Sequence, residues 1–135
     1  MKSIFYRVWD NEKQKYFEPT YEAFRGKLED LHIGLHGDLF MRTMDGTIHC
    51  DSIFPGRFII EQSAHKLDSK DRVIHVGDIV EVENGEDGPI ITKCEWHEGG
   101  FALVDLAGGH WTRQLYHQPE RLEVVGNIHQ NADLL

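Results

Sequence analysis

Nine histidines and two cysteines in a chain of 135 residues are the side chains best suited to hold a metal or to serve a nucleophile, so their spacing decides which of these chemistries is open. Zinc needs several imidazole or thiolate donors about 3–4 Å apart around one centre. His32 and His36 would be neighbours on a helix. They stand, however, in Leu31-His32-Ile33-Gly34-Leu35-His36, whose alternation is that of a strand, where four residues span about 13 Å. Cys94 and His97 are three apart on a second strand-like run and so point to opposite faces. No second Cys-x-x-His or Cys-x-x-Cys pair supplies further ligands, so neither a metal nor another cofactor is expected. Covalent catalysis fares no better. Ser3, Ser52, Ser63 and Ser69 lie in no Gly-x-Ser-x-Gly elbow, and His49 beside Cys50 turns away from it on a strand. The pieces Glu98-Gly99-Gly100 and Ala107-Gly108-Gly109 lack the Gly-Lys-Ser/Thr of a phosphate loop and read as turns. The chain is therefore not expected to be an enzyme. The competing expectation is a metal-dependent enzyme acting on nucleotides through His97, His110 or His117.

What remains are contact surfaces. Glu81, Glu83, Glu86 and Asp87 form an acidic loop able to bind a cation weakly, although its spacing matches no calcium loop. They read as a solvated edge, and in the extreme case as a mimic of DNA that occupies a DNA-binding protein. Of the three tryptophans, Trp9 and Trp96 are assigned to core, Trp96 because it shares one strand face with Ile90, Thr92 and Cys94. His110-Trp111 lies among Gly and polar residues and has the weakest inward pattern. It is the expected contact surface, and the place where a single-stranded nucleic acid would stack if the chain bound one.

Composition bounds these readings. A length of 135 residues fits one domain or two small lobes, and 40% hydrophobic residues with 10% aromatics is ordinary for a globular chain. No stretch approaches the roughly 20 apolar residues of a membrane span, and the first residues are too short an apolar run for a signal peptide, so a cytoplasmic location is expected. Cys50 and Cys94 are then free thiols. A net charge of −9 disfavours binding to duplex DNA, which rests on basic patches.

The elements that must position these residues are mostly strands. Residues 4–9 are rich in β-branched and aromatic types and end at Asp10-Asn11, with Tyr16-Phe17 as the return arm. Thr20 can cap a short helix carrying Tyr21, Phe24, Leu28 and Leu31 on one side. Asp45-Gly46 between 39–44 and 47–50 is a hairpin signal, and Pro55-Gly56 turns the chain into 58–60. Further strands are expected at 79–82, 90–97, 101–106 and 122–128. The expected fold is mainly β: a β-rich N-terminal lobe over 1–61 with at most one short helix, a linker over 62–75, and an SH3-like small barrel of short antiparallel strands over 76–135. Exposed strand edges in so β-rich a chain lead to the expectation of homo-oligomer formation by edge pairing.

Three phrases together carry a family resemblance. Ile4-Phe5-Tyr6-Arg7-Val8-Trp9-Asp10 is one. Gln62, Asp68, Ile74 and Gly77-Asp78-Ile79-Val80 make the second, and Val125-Gly126-Asn127-Ile128-His129-Gln130-Asn131-Ala132-Asp133-Leu134-Leu135 the third. They resemble the opening, central and closing phrases of the YopX family of small phage and prophage proteins. The chain departs from that pattern at Ala64-His65-Lys66, where the family has a Thr-Gly-Leu turn, at Asp71, where it has a turn glycine, and at Ala132, where it has proline. The resemblance implies a mostly β fold and a phage or prophage origin in a bacterial cell, and it carries no catalytic residue across. The function expected is a non-enzymatic accessory protein whose barrel binds a protein partner, that of the host included, and which self-associates.

Overall fold

The computed structural model describes residues 6–18, 20–22, 27–43, 45–83, 88–97, 99–107, 112–115 and 121–135. Among these the fold is mainly β, with antiparallel strands and no helix longer than one 3-10 turn. The chain divides into two compact units, residues 7–60 and residues 61–135 with 1–6.

In the 7–60 unit, β1 (Tyr6–Asp10) and β2 (Lys15–Tyr16) pair with Trp9 opposite Tyr16. The two rings meet edge to face at 5.1 Å, and Trp9 is buried. Asp10 ends β1 and fixes the turn after it. Its Oδ1 accepts the N–H groups of Glu12 and Lys13, and its two oxygens take Nε and Nη2 of Arg57 at 3.1 Å each. Burial pushes the Asp10 carboxyl up, but Arg57 and those N–H groups outweigh it, and the net shift is downward. The Arg57 guanidinium also lies 4.7 Å from the Phe58 ring centroid, so one cation anchors the start of the strand that begins there.

The same unit holds a four-stranded sheet in the order β3 (Thr20–Glu22), β4 (Lys27–Ile33), β5 (Leu39–Arg42), β6 (Ile48–Cys50). Where a helix is expected from Thr20, the described residues form paired strands; Phe24 lies outside the described residues, and Tyr21 and Leu28 are cross-strand partners. Their seven-residue spacing imitates a helical face while belonging to two strands. The alternation expected through Leu35 also stops early. β4 ends at Ile33, and Leu35 stands fully exposed in a turn closed by the Gly34 N–H to Asp38 carbonyl bond, with Gly37 at φ +85°. Asp45-Gly46 does close a hairpin between β5 and β6. Gly46 takes φ +86°, and Asp45 accepts the Thr47 N–H and the Thr43 hydroxyl, which pull its carboxyl down to about 2.

β7 (Phe58–Leu67) leads into the second unit, where its far half pairs with β8 (Val73–His75). Residues 62–75, expected as a linker, are thus mostly strand. The rest of this unit is a five-stranded sheet curled into a half-barrel, in the order β12 (Thr112–Gln114), β11 (Gly100–Asp105), β10 (Pro89–His97), β9 (Asp78–Glu83), β13 (Leu122–Asn127). Alternation on β9 puts Val80 and Val82 inside with Ala64, Ile74, Cys94, Phe101, Leu103, Leu115 and Leu122, a mainly aliphatic core among the described residues with Phe101 at its end. At about 25 cal/mol per Å² such burial is the main force holding the sheet curled.

Candidate interaction surface

Buried carboxylates are the groups most easily mistaken for catalytic ones, and in this unit each serves the fold. Asp68 is buried and accepts the N–H groups of Lys70, Arg72 and Val124 at 2.8–2.9 Å, with Arg72 Nε at 3.2 Å. Burial raises its pKa, and these four donors lower it further than burial raises it. Asp78 accepts the His75 N–H at 2.8 Å. Glu61 is buried 3.0 Å from Nε2 of His129, beside the Gly77 turn. Asn127 Oδ1 accepts the N–H groups of His129 and Gln130, and Asn131 Oδ1 accepts the Asn127 N–H. Asp68, Gly77, Asp78, Gly126 and Asn127, which carry the family phrases, are therefore turn and edge hardware.

Two of the acids singled out from sequence stand together. Glu81 and Glu83 point outward from β9, and with Pro89, Arg121 and Glu123 they line a shallow groove of about 310 Å³. Glu81 lies directly opposite Glu123, a like-charge pair that costs stability in itself. Lys70 answers it with Nζ 2.7 Å from Glu123 and Arg72 adds a contact at 3.6 Å; the Lys70 hydrogen bond leads the downward shift of the Glu123 carboxyl. The groove is thus partly self-neutralised. Glu86, Asp87, His110 and Trp111 lie outside the described residues, as does His117.

Among the described residues no three His, Cys, Asp or Glu side chains are grouped to hold a metal. His32 sits on β4 against Asp30 at 3.0 Å, while His36 is in the turn beyond it. Cys94 is buried and His97 exposed, on opposite faces of β10, and Cys50 is half-buried.

Trp96 corrects the sequence reading. It does share a face with the buried Thr92 and Cys94, but it is 58% exposed. It lies opposite Phe101 at the tip of the β10–β11 hairpin, and Phe101 takes the place in the core. The Trp96 ring meets that of Phe101 edge to face at 5.0 Å and 89°. The inward face of β10 therefore runs past the end of the core and presents an indole fixed in position. The sequence signal was the Glu98-Gly99-Gly100 turn two residues on, which marks Trp96 as a tip residue rather than a mid-strand one.

A two-unit, all-antiparallel β protein with structural carboxylates and a presented tryptophan is the class these features define. The profile of the family described as YopX protein matches residues 5–135, and the chain belongs to that family. Its fold is similar to the crystal structure of protein EF1440 from Enterococcus faecalis, with 21% identity, 98% of both chains covered and a TM-score of 0.58. It is also similar to the crystal structure of protein yopX from Bacillus subtilis, with 18% identity, 96% of both chains covered and a TM-score of 0.56. No curated protein matches the chain.

Proposed function

We propose that the chain is a non-enzymatic accessory protein of phage or prophage origin, acting in the bacterial cytoplasm by binding a protein partner through the β10–β11 tip. The observation that carries this reading is Trp96: a large ring, more than half exposed, held by Phe101 on a hairpin rooted in the core. Exposed aromatic anchors that lose little freedom on binding are the side chains that dominate protein interfaces. The structural employment of Asp10, Asp68, Asp78 and Glu61 supports the non-enzymatic part, and the family resemblance supports the phage origin.

The test is retention from bacterial host lysate, with nuclease, on immobilised wild-type chain and on Trp96→Ala. A stoichiometric protein held by the first and lost from the second, with the far-ultraviolet circular dichroism of the two chains superimposable, is the expected result. A partner held equally by both moves the interface elsewhere, and no partner on either chain ends the proposal.

A further inference from the structure

The cross-strand register of the 7–60 unit brings a second, different surface together. Ile33, Leu31, Leu39 and Met41 share one face of the β3–β6 sheet, where Leu39 and Met41 are buried. The opposite face carries His32 directly across from Phe40, and Phe40 directly across from Cys50. One step along lie Asp30, Arg42 and Ile48 in the same register. Side chains so paired sit about 5 Å apart. His32 and Ile48 are exposed and Phe40, Arg42 and Cys50 are half-buried, so this face is accessible in part.

Both planar side chains on it are held. Asp30 is buried and fixes the His32 ring at 3.0 Å. Phe40 lies over Gly34, where a Cβ would stand 3.0 Å from its Cε2, so the absence of a side chain lets the phenyl ring lie down on the sheet. Arg42 neighbours Phe40 by two positions on β5, and its guanidinium has no ion pair or hydrogen bond among the described residues. Two fixed rings on adjacent central strands beside a guanidinium with no ion pair among the described residues suit a ligand with flat apolar faces and a negative charge.

We infer that this face binds a short single-stranded nucleic acid, with Phe40 and His32 stacking on bases and Arg42 meeting a phosphate. Base stacking on aromatic rings is tolerant of sequence because every base has a π face, whereas a duplex hides those faces. Asp30, the cross-strand partner of Arg42, is engaged by His32 at 3.0 Å, and the acidity of the protein weighs less here than elsewhere. Residues 7–60 carry seven bases and nine acids, and the remaining residues seven bases and fourteen acids, so most of the −9 belongs to the other unit. A single cation on the platform also limits the contact to about one phosphate, which predicts a salt slope of roughly −0.7 rather than the steep dependence of a basic groove.

The full chain is titrated into a fluorescein-labelled twelve-nucleotide single strand, and into its duplex, with anisotropy as the readout at 50 and 200 mM salt. Saturable binding of the single strand, with duplex binding at least tenfold weaker, is expected. Phe40→Leu, which keeps an apolar side chain on the sheet, should weaken it about tenfold by removing one stacking ring. Arg42→Gln should bring the salt slope close to zero. Circular dichroism melting of each variant confirms that it is folded. Absence of saturable single-strand binding at 50 mM salt overturns the inference, as does equal affinity for duplex, or unchanged affinity in both Phe40→Leu and Arg42→Gln.

Discussion

Val124 donates its backbone N–H to Oδ2 of Asp68 at 2.9 Å, tying together positions 56 apart. The Leu122 carbonyl accepts the Ser69 N–H on the same side at 2.8 Å, so the 68–72 turn covers the outer edge of β13. An edge strand with free backbone groups invites pairing with another chain, and this turn removes the invitation. Asp68→Ala leaves the N–H groups of Lys70, Arg72 and Val124 without their acceptor. The expected cost is about 3 kcal/mol in urea denaturation, with concentration-dependent association visible by sedimentation velocity. A monodisperse variant of unchanged stability contradicts the edge-cover role.

Acid stability depends on the same carboxylate and on Asp10. Both have folded-state pKa values below the ordinary 3.8, so the stability they supply is fully present above the unfolded value and is lost as pH falls through the folded one. These two groups therefore contribute no pH dependence at neutral pH and a progressive loss of stability below about pH 4. Asp10→Asn and Asp68→Asn lower stability at pH 7 and flatten the decline below pH 4. Thermal melts between pH 7 and pH 3 read both effects, and a parallel decline in variant and wild type contradicts them.

Two non-glycine residues of the 61–135 unit are left-handed in the structure. His65 has φ +58° and Asp71 φ +61°, the former at the bulge where β7 shifts register against β8. Both side chains are exposed. A non-glycine residue in this region costs about 1–2 kcal/mol, partly offset by the greater freedom of glycine in the unfolded chain. His65→Gly and Asp71→Gly are each expected to raise stability by about 0.5–1 kcal/mol in chemical denaturation. A loss at either position would show that its side chain has a role that outweighs the strain.

Turn chemistry was the part of this fold most legible from sequence. Asp45-Gly46 and Pro55-Gly56 act within a few residues, and the backbone conformation they demand is local. Periodicity misled where pairing was non-local. Tyr21 and Leu28 looked like one helical face because a hairpin placed them opposite each other, and Leu35 looked inward because the end of β4 carries no mark except Gly34. On the candidate surfaces, Glu81 and Glu83 of the acidic edge stand on the outward face of β9, a placement that strand alternation contains. Alternation failed at Trp96, since period two says which face a residue shares but not where the core beneath that face stops. The His32, Phe40 and Arg42 surface needed the register of three strands, which no local pattern contains.

Gly77 offers the sharpest test of how the closing phrase is locked. It has φ +93°, and a Cβ there would overlap the carboxylate of Glu61, which is held by Nε2 of His129 while the Gly77 carbonyl accepts the Ile128 N–H at 3.0 Å. Gly77→Ala thus meets two penalties, the backbone conformation at about 1 kcal/mol and the collision at about 2 kcal/mol more. Removing the carboxylate separates them. In a Glu61→Ala background the same Gly77→Ala change should cost about 1 kcal/mol, giving a coupling of about 2 kcal/mol in the double-mutant cycle measured by urea denaturation. Additive costs would mean that Glu61 moves aside freely and that the buried pair with His129 does not fix the turn.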